Sequence, residues 1–130
     1  MGSDIRTFGL HLMLDCYGAD PSKLDDVGLL YQTLLDIPEA ICMNKIGFPQ
    51  IAKFTEREIA GISGVIMIVE SHISIHTYSK KDFLSLDAYS CKQFDLEKVT
   101  ALIKERYSPR EIETYVTERG KKFPIENLHD

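Results

Sequence analysis

Residues 63–78 read Ser-Gly-Val-Ile-Met-Ile-Val-Glu-Ser-His-Ile-Ser-Ile-His-Thr-Tyr, and this segment gives the strongest indication of the type of fold. Its first part, Ser63–Val69, is a nearly continuous apolar and β-branched run, which is typical of a central strand that is buried on both faces. A second extended segment, His72–Tyr78, follows almost at once, and a third covers Phe83–Cys91. Because only short connections separate these segments, they predict an antiparallel β-meander.

Helical and extended segments flank this meander on both sides. Asp20 followed by Pro21 predicts the start of a helix, because aspartate accepts hydrogen bonds from free N–H groups and proline suits the first helical position. The flanking elements are a strand over Phe8–Leu14, a helix over Pro21–Asp36, a strand over Ile46–Phe54, a helix that Asp95 caps and Ser108-Pro109 ends, and a strand over Glu111–Thr117.

The order of these elements is strand, helix, several strands, helix, strand. This order predicts an α+β fold, a two-layer sandwich in which two helices cover one face of an antiparallel β-sheet. The length of 130 residues fits a single domain, with a polar and frayed tail over 118–130. The uncovered face of the sheet needs a partner, and closed two-fold pairing is the commonest solution, so we expect a homodimer.

Composition narrows the class of function. Fifteen Lys and Arg against twenty Asp and Glu give a formal charge of −5, which argues against a nucleic-acid partner. The longest stretch without a charge, Ile59–Val69, is much shorter than the ~20 residues that cross a bilayer, so we expect no membrane span. Three cysteines match no zinc pattern and cannot all pair within one chain, which favours a reducing location and no metal site. We expect Cys16 and Cys42 to be buried and His11 and His72 to be structural.

The segment Glu70–Tyr78 is unusual because a glutamate, two serines, two histidines and a threonine interrupt the middle of the predicted sheet. One interpretation is that these side chains face solvent on one side of a half-exposed strand. The other is a catalytic site. Ser63 and Ser71 would share a face of a continuous strand, whereas His76, five residues from Ser71, would point to the other face. A turn or bulge around residues 70–72 would bring all three together, and bulges often lie beside active sites.

The motif Glu-Ser-His-Ile-Ser-Ile-His-Thr at residues 70–77 closely resembles the prokaryotic S-adenosylmethionine decarboxylase proenzymes. As in that family, Ser63-Gly64 and an apolar strand precede the motif, and a cysteine follows it at position 91. The resemblance extends to the first strand and the helix entry, and it spans positions 9–107. The residues that carry this second part are Gly9, Leu10, His11, Leu12, Asp15, Tyr17, Gly18, Asp20 and Leu24.

The resemblance implies that the chain cuts itself between Glu70 and Ser71. The Ser71 hydroxyl would attack the Glu70 carbonyl and convert the peptide into an ester, and elimination followed by hydrolysis would leave a pyruvoyl group at the new N-terminus. His76 would be the base for this processing, because an imidazole suits proton removal near neutral pH. Ser63 would hydrogen-bond the oxyanion of the acyl shift.

The same resemblance implies the reaction. The pyruvoyl group would form a Schiff base with the α-amine of adenosylmethionine and accept electrons as carbon dioxide leaves, so no external cofactor is needed. Cys91 would then protonate the carbanion, since the pKa of a thiol can be tuned near neutrality. By the same resemblance, the product would supply the synthesis of polyamines such as spermidine. The expected enzyme is a cytoplasmic homodimer of processed protomers, each made of a β chain, residues 1–70, and an α chain, residues 71–130.

The residues after the His-Thr pair depart from the family, which commonly continues Trp-Pro-Glu where this chain has Tyr78-Ser79-Lys80. In the family the acid is associated with the ribose hydroxyls of the substrate, and a lysine has only donors and cannot replace it. Substrate contacts are expected at Glu70, Tyr78 and Lys80. The substrate stays open between adenosylmethionine and, for a decarboxylase of the same fold, arginine or ornithine.

An interpretation from a different class is a non-catalytic interaction module that keeps the fold without processing. Ser63, Ser71, His76 and Cys91 all occur at the family's spacing, which argues against this interpretation. Likeness of fold alone would not exclude it, because one fold hosts many functions.

Overall fold

A computed structural model of the chain describes residues 8–56 and 59–124. The described strands are β1 (Gly9–Tyr17), β2 (Lys45–Phe54), β3 (Gly61–Ile68), β4 (Ser71–Tyr78), β5 (Phe83–Ser90) and β6 (Glu111–Arg119). The described α-helices are α1 (Pro21–Leu24), α2 (Val27–Ala40) and α3 (Leu96–Tyr107), and a 3-10 turn over Ser79–Lys81 joins β4 to β5. None of these helices is long and apolar enough to cross a membrane.

All six described strands form one antiparallel sheet in the order β2-β3-β4-β5-β1-β6. The strands β3, β4 and β5 are consecutive neighbours, which confirms the predicted meander. The two longer helices pack together and against one face of the sheet, so the predicted two-layer α+β sandwich is confirmed. The strand β1 lies between β5 and β6, because the helical connections carry the chain across that face.

The hydrophobic core lies between the sheet and the helices. Along β1, β3, β4 and β5 every second side chain is buried, as the alternation of side chains in a strand requires. From the helices, Leu34 and Ile37 of α2 and Val99 and Ile103 of α3 complete this core. The fully buried strand residues include Leu12, Leu14, Ile62, Ile66, Ile73, Ile75 and Leu84.

The strand β3 is buried on one face only. Ile62 and Ile66 are fully buried against the helices, whereas Met67 on the other face is 59% exposed. The expected burial on both faces is therefore wrong for a single copy of the chain, because no described element covers the second face. We call this second face, with Ser63, Val65 and Met67 of β3 and the alternate residues of the neighbouring strands, the open face.

The first predicted helix forms as two helices. Asp20 caps α1, and six residues later the Asp26 carboxylate accepts a hydrogen bond from the N–H of Leu29 and starts α2. The prediction of one helix over Pro21–Asp36 is therefore wrong in its middle and at its end, since α2 continues past Pro38. Pro38 removes one helical N–H donor, but only two residues of the helix follow it, so the disturbance stays local and α2 reaches Ala40.

The last strand is longer than the sequence predicts. The strand β6 still pairs with β1 at Arg119, two residues beyond the predicted end. After the strand, the ring of Phe123 lies against that of Phe8, with centroids 4.5 Å apart. The tail predicted over 118–130 thus begins inside the sheet, and its last part, 125–130, lies outside the described residues.

Gly61 at the start of β3 allows a close approach of two backbones, because a Cβ atom at this position would overlap the carbonyl oxygen of Thr77. We predict that Gly61→Ala lowers the free energy of unfolding by about 1–3 kcal/mol, the usual cost of overpacking. Gly28→Ala in α2 is the matched control: its Cβ would meet nothing closer than 3.5 Å, and its stability should hold or rise by about 0.4–1 kcal/mol. Urea denaturation measures both variants, and an equal loss in both would contradict the close approach.

Candidate active site

The peptide bond between Glu70 and Ser71 lies at the tight turn between β3 and β4. Val69 and Glu70 form this turn, and Ser71 pairs with Ile68 as the first residue of β4. The backbone of Ser71 is extended, with a φ of 159°. Its side chain is half-buried, and its hydroxyl has no hydrogen-bond partner in the described part of the chain. The hydroxyl is therefore available as a nucleophile beside the preceding carbonyl.

The carbonyl oxygen of Glu70 accepts a hydrogen bond from the backbone N–H of Cys91 at 2.9 Å. This contact follows from strand register. Because Ser71 pairs with Ser90 of β5 in antiparallel orientation, the residue before Ser71 lies opposite the residue after Ser90. The N–H thus points at the oxygen on which negative charge would build during an attack by Ser71. The family resemblance implies Ser63 for that role, and the motif does not indicate this donor, since a backbone N–H leaves no mark in a sequence pattern.

The side chain of Glu70 is buried, with 6% of its surface exposed. The backbone N–H of Asn44 donates to one carboxylate oxygen at 3.2 Å, and the side-chain amide of Asn44 donates to the other at 3.0 Å. Burial would raise the pKa of this carboxyl, but the Asn44 donors and the nearby charge of Lys92 outweigh it and hold the pKa of Glu70 below its ordinary value. Glu70 is therefore an anion with both oxygens occupied, and Asn44 is a second site residue that the sequence analysis missed.

Ser63 and His76 form a second polar pair, on the open face. They are direct cross-strand neighbours in β3 and β4, and the Ser63 Oγ lies 2.8 Å from the His76 Nδ1. Both side chains are half-buried. A cavity of about 260 Å³ opens beside them between β2, β3 and β4, and Gln50, Val65 and Ser74 contribute to its lining. The pair therefore borders a space large enough for part of a small molecule.

The Ser63–His76 pair is far from the turn with Glu70 and Ser71 within one copy of the chain. The pairing of β3 with β4 runs without a shift in register over its whole length, so the bulge expected around residues 70–72 is absent. His76 lies five residues along β4 from Ser71, roughly 16 Å at ~3.3 Å per residue. The expectation that a turn or bulge brings Ser63, Ser71 and His76 together is wrong for a single copy, because the two-residue turn leaves both strands regular.

Tyr78 and Lys80 lie still farther from Ser71, beyond His76. The ring of Tyr78 is 6.0 Å from that of Phe83, which in turn is 5.4 Å from that of Tyr17. Lys80 is exposed in the 3-10 turn that follows β4. These two predicted substrate contacts are therefore grouped with the Ser63–His76 pair, whereas Glu70 is at the opposite end of the hairpin.

The remaining cysteines differ from each other. Cys16 is fully buried as predicted, and burial together with the charge of Asp15 raises its pKa to about 12. Cys42 is exposed, with a φ of 61°, so its expected burial is wrong. The physical reason is that α2 continues to Ala40, which places Cys42 in the turn after the helix.

The two other histidines of the open face make local contacts. His11 Nε2 lies 2.9 Å from the carboxylate of Asp87, and the rings of His11 and His72 lie 5.6 Å and 5.8 Å from the ring of Tyr89. These contacts fit the structural roles that were expected for both histidines.

Comparison with known proteins decides the family. The profile of the S-adenosylmethionine decarboxylase family matches residues 10–120. This chain belongs to that family. The S-adenosylmethionine decarboxylase proenzyme of Geobacillus kaustophilus (strain HTA426) is 30% identical over 122 residues, which cover 92% of this chain and 93% of that protein. The proenzyme of Sulfurihydrogenibium sp. (strain YO3AOP1) is 32% identical over 117 residues, with 88% and 84% covered.

A solved structure of the S-adenosylmethionine decarboxylase family has the same fold. The crystal structure of the adenosylmethionine decarboxylase from Aquifex aeolicus VF5 matches with a TM-score of 0.75 and 31% sequence identity. The match covers 88% of this chain and 92% of that one. The family and the fold implied by the motif at residues 70–77 are thus confirmed.

Alkylation of the cysteines tests their placement. Iodoacetamide at pH 8 should modify the exposed Cys42 of the folded protein and leave Cys16 unmodified, because burial and a pKa of about 12 keep Cys16 a protonated thiol. Peptide mass mapping after timed quenching measures each rate, with protein unfolded in guanidinium as the control in which both react alike. Equal rates for the two cysteines in the folded protein would contradict this placement.

Proposed function

We propose that this chain is a self-processing, pyruvoyl-dependent decarboxylase that acts on S-adenosylmethionine. The observation that carries the proposal is the peptide bond between Glu70 and Ser71, where the carbonyl accepts the N–H of Cys91 at 2.9 Å and no described residue hydrogen-bonds the serine hydroxyl that follows it. The relatives that are named S-adenosylmethionine decarboxylase proenzymes align with most of this chain. Their names and the geometry of this bond support cleavage and decarboxylation by the same protein.

Processing uses the chain's own residues. The Ser71 Oγ attacks the carbonyl carbon of Glu70, the peptide C–N bond breaks, and an ester then joins the two residues. The N–H of Cys91 stabilises the negative charge that builds on the carbonyl oxygen during this step. A base next removes the α-proton of residue 71 and the Glu70 carboxylate leaves. Addition of water releases ammonia and leaves the pyruvoyl group at the start of 71–130.

The residues around position 71 fit a group made in this way. Ser71 is half-buried, and among residues 8–56 and 59–124 no hydrogen bond of its hydroxyl has to be broken for its conversion. The pyruvoyl carbonyl supplies a sink for the electrons that are released when carbon dioxide leaves. Cys91 is also half-buried, and its backbone contacts Glu70, the residue before position 71. Its thiol is therefore in the right region to return a proton to the substrate carbon.

In a single copy of the chain, His76, the base expected for processing, lies roughly 16 Å along β4 from Ser71, too far to remove its α-proton. We infer a homodimer whose two open faces pack together, so that the Ser63–His76 pair of one copy covers the turn before Ser71 of the other. A two-fold axis then gives two equivalent sites, each built from both copies. This packing would also bury the exposed apolar side chains of the open face, among them Tyr17, Met67 and Tyr115.

Adenosylmethionine is the substrate that the names of the relatives support. Lys80 favours a second candidate, because it stands where the family commonly has an acid that contacts ribose. Arginine and ornithine have no ribose, and the same decarboxylation chemistry would serve them. The cytoplasmic location expected from the sequence stays a prediction.

Cleavage is tested with wild-type protein, Ser71→Ala and the control Ser22→Ala, which removes a hydroxyl from the helical layer. Wild type and control should give fragments 1–70 and 71–130, the second with a blocked N-terminus, because both keep the nucleophile. Ser71→Ala should stay intact. Intact mass spectrometry measures the products, and a wild-type chain that stays whole for days at neutral pH would refute processing and favour the non-catalytic interaction module.

The same preparations test the substrate through release of carbon dioxide from adenosylmethionine, arginine and ornithine. Wild type should prefer adenosylmethionine. The Lys80→Glu variant should have a lower KM for adenosylmethionine than wild type, because the glutamate restores an acceptor for the ribose hydroxyls. A preference of wild type for arginine or ornithine by more than about tenfold in kcat/KM, a barrier difference near 1.4 kcal/mol, would overturn the substrate and leave the processing chemistry in place.

Co-expression of Ser71→Ala and His76→Ala chains with different affinity tags tests the shared site. Neither variant should be cut alone, because one lacks the nucleophile and the other lacks the base. In a mixed dimer the His76→Ala chain keeps its Ser71 and receives His76 from its partner, so this chain should be cut. Tandem purification followed by intact mass spectrometry measures the result. Mixed dimers without any cut chain would show that both residues must come from one copy.

A further inference from the structure

Asn44 binds the turn of the β3–β4 hairpin at three points. Its carbonyl oxygen accepts a hydrogen bond from the N–H of Val69 at 2.8 Å, and its backbone N–H and side-chain amide donate to the two carboxylate oxygens of Glu70 at 3.2 and 3.0 Å. Asn44 lies 26 residues before Glu70, in the connection between α2 and β2. The turn is therefore held by hydrogen bonds to a segment that does not belong to the hairpin.

Asn44 and the backbone N–H of Cys91 hold the two ends of Glu70, its side chain and its carbonyl oxygen. The carboxylate is nearly buried, and a buried charge is stable only where hydrogen bonds replace its water. Asn44 provides these bonds at the end of the side chain, while the N–H of Cys91 holds the carbonyl oxygen. With both ends fixed, the carbonyl carbon of Glu70 has a defined position relative to the Ser71 hydroxyl.

We propose that Asn44 is a positioning residue for self-processing: by holding the carboxylate of Glu70, it keeps the carbonyl carbon of that residue in line for attack by Ser71. This inference rests on the proposed function and adds a residue to it. A misplacement of reacting atoms by about 1 Å is enough to slow a reaction by orders of magnitude. Asn44 acts through Glu70 and makes no contact with the reacting atoms themselves.

The same contacts serve the cut protein. After cleavage Glu70 is the last residue of its fragment and gains a second carboxylate beside the first. Asn44 belongs to the same fragment, 1–70, so it keeps the new chain end in place without help from the other fragment. The N–H of Cys91 remains a donor for the new carboxylate, and Lys92 places a positive charge nearby. The turn before position 71 would thus keep these contacts after processing.

The test compares cleavage rates of wild type and Asn44→Asp, which replaces the amide by a carboxylate of the same shape facing Glu70. At pH 8 the two carboxylates repel, and the variant should be cut at least about tenfold more slowly. At pH 5.5 one shared proton restores a hydrogen bond between them, so the ratio of the variant rate to the wild-type rate should rise by about threefold or more. The ratio cancels any effect of pH that both proteins share. The positive charge of Lys92 acts on Glu70 in both proteins.

The double variant Asn44→Asp with Glu70→Gln supplies the rescue. It again pairs one amide with one carboxylate, with the roles exchanged, and should return to within about threefold of the wild-type rate at both pH values. Cys42→Asp is the matched control, since it adds the same charge to an exposed side chain of the same connection. It should be cut at the wild-type rate.

Two results would overturn the inference. One is an Asn44→Asp rate equal to wild type at pH 8. The other is a slow rate that does not depend on pH and is not recovered by Glu70→Gln, because that pattern would reflect damage to folding. If wild type itself stays whole, the proposed function fails and this inference fails with it. If wild type and Asn44→Asp are cut alike, only this inference fails.

Discussion

The register of β4 between its two neighbours is the constraint on which the candidate site depends. Ser71 pairs with Ile68 on one side and with Ser90 on the other, so the residue before it meets the N–H of Cys91. A slip of one residue would turn every side chain of β4 to the other face and expose Ile73 and Ile75, which are fully buried. The core thus fixes the register, and the register places a donor on the Glu70 carbonyl.

Local sequence predicted most of the fold. The apolar run that begins at Ser63 and the caps at Asp20 and Asp95 each depend on neighbours in the chain, and the structure has a strand or helix at each. The prediction of the first helix is wrong because Asp26 provides a second cap and because the helix continues past Pro38 to Ala40. The second face of β3 was misjudged because an apolar strand looks the same whether its cover comes from its own chain or from another copy.

The residues of the candidate site were easier to predict than their positions. The motif around Ser71 contains the nucleophile, and its spacing to His76 matches the family. Neither feature says how far apart Ser71 and His76 lie along the hairpin. That distance depends on the length of the turn, and here the turn is short and the strands are regular. The contacts of Asn44 and of the Cys91 backbone depend on tertiary pairing of distant segments, so no pattern along the chain could have revealed them.

The order of strands determines what becomes of a chain that is cut after Glu70. The first fragment would hold β1, β2 and β3 and the second β4, β5 and β6, and in the sheet they alternate as β2-β3, β4-β5, β1 and β6. Three of the five strand-to-strand contacts would then join two separate molecules. The strands of the two fragments would alternate within one sheet, so the fragments could separate only if the hydrogen bonds of three strand pairs broke. Once unfolded, they would have to find each other again by diffusion, so recovery of even one sheet would depend on concentration, whereas in the uncut chain all six strands belong to one molecule. With this strand order, a cut protein would assemble most readily if its sheet formed before the cut, while all strands still belonged to one chain.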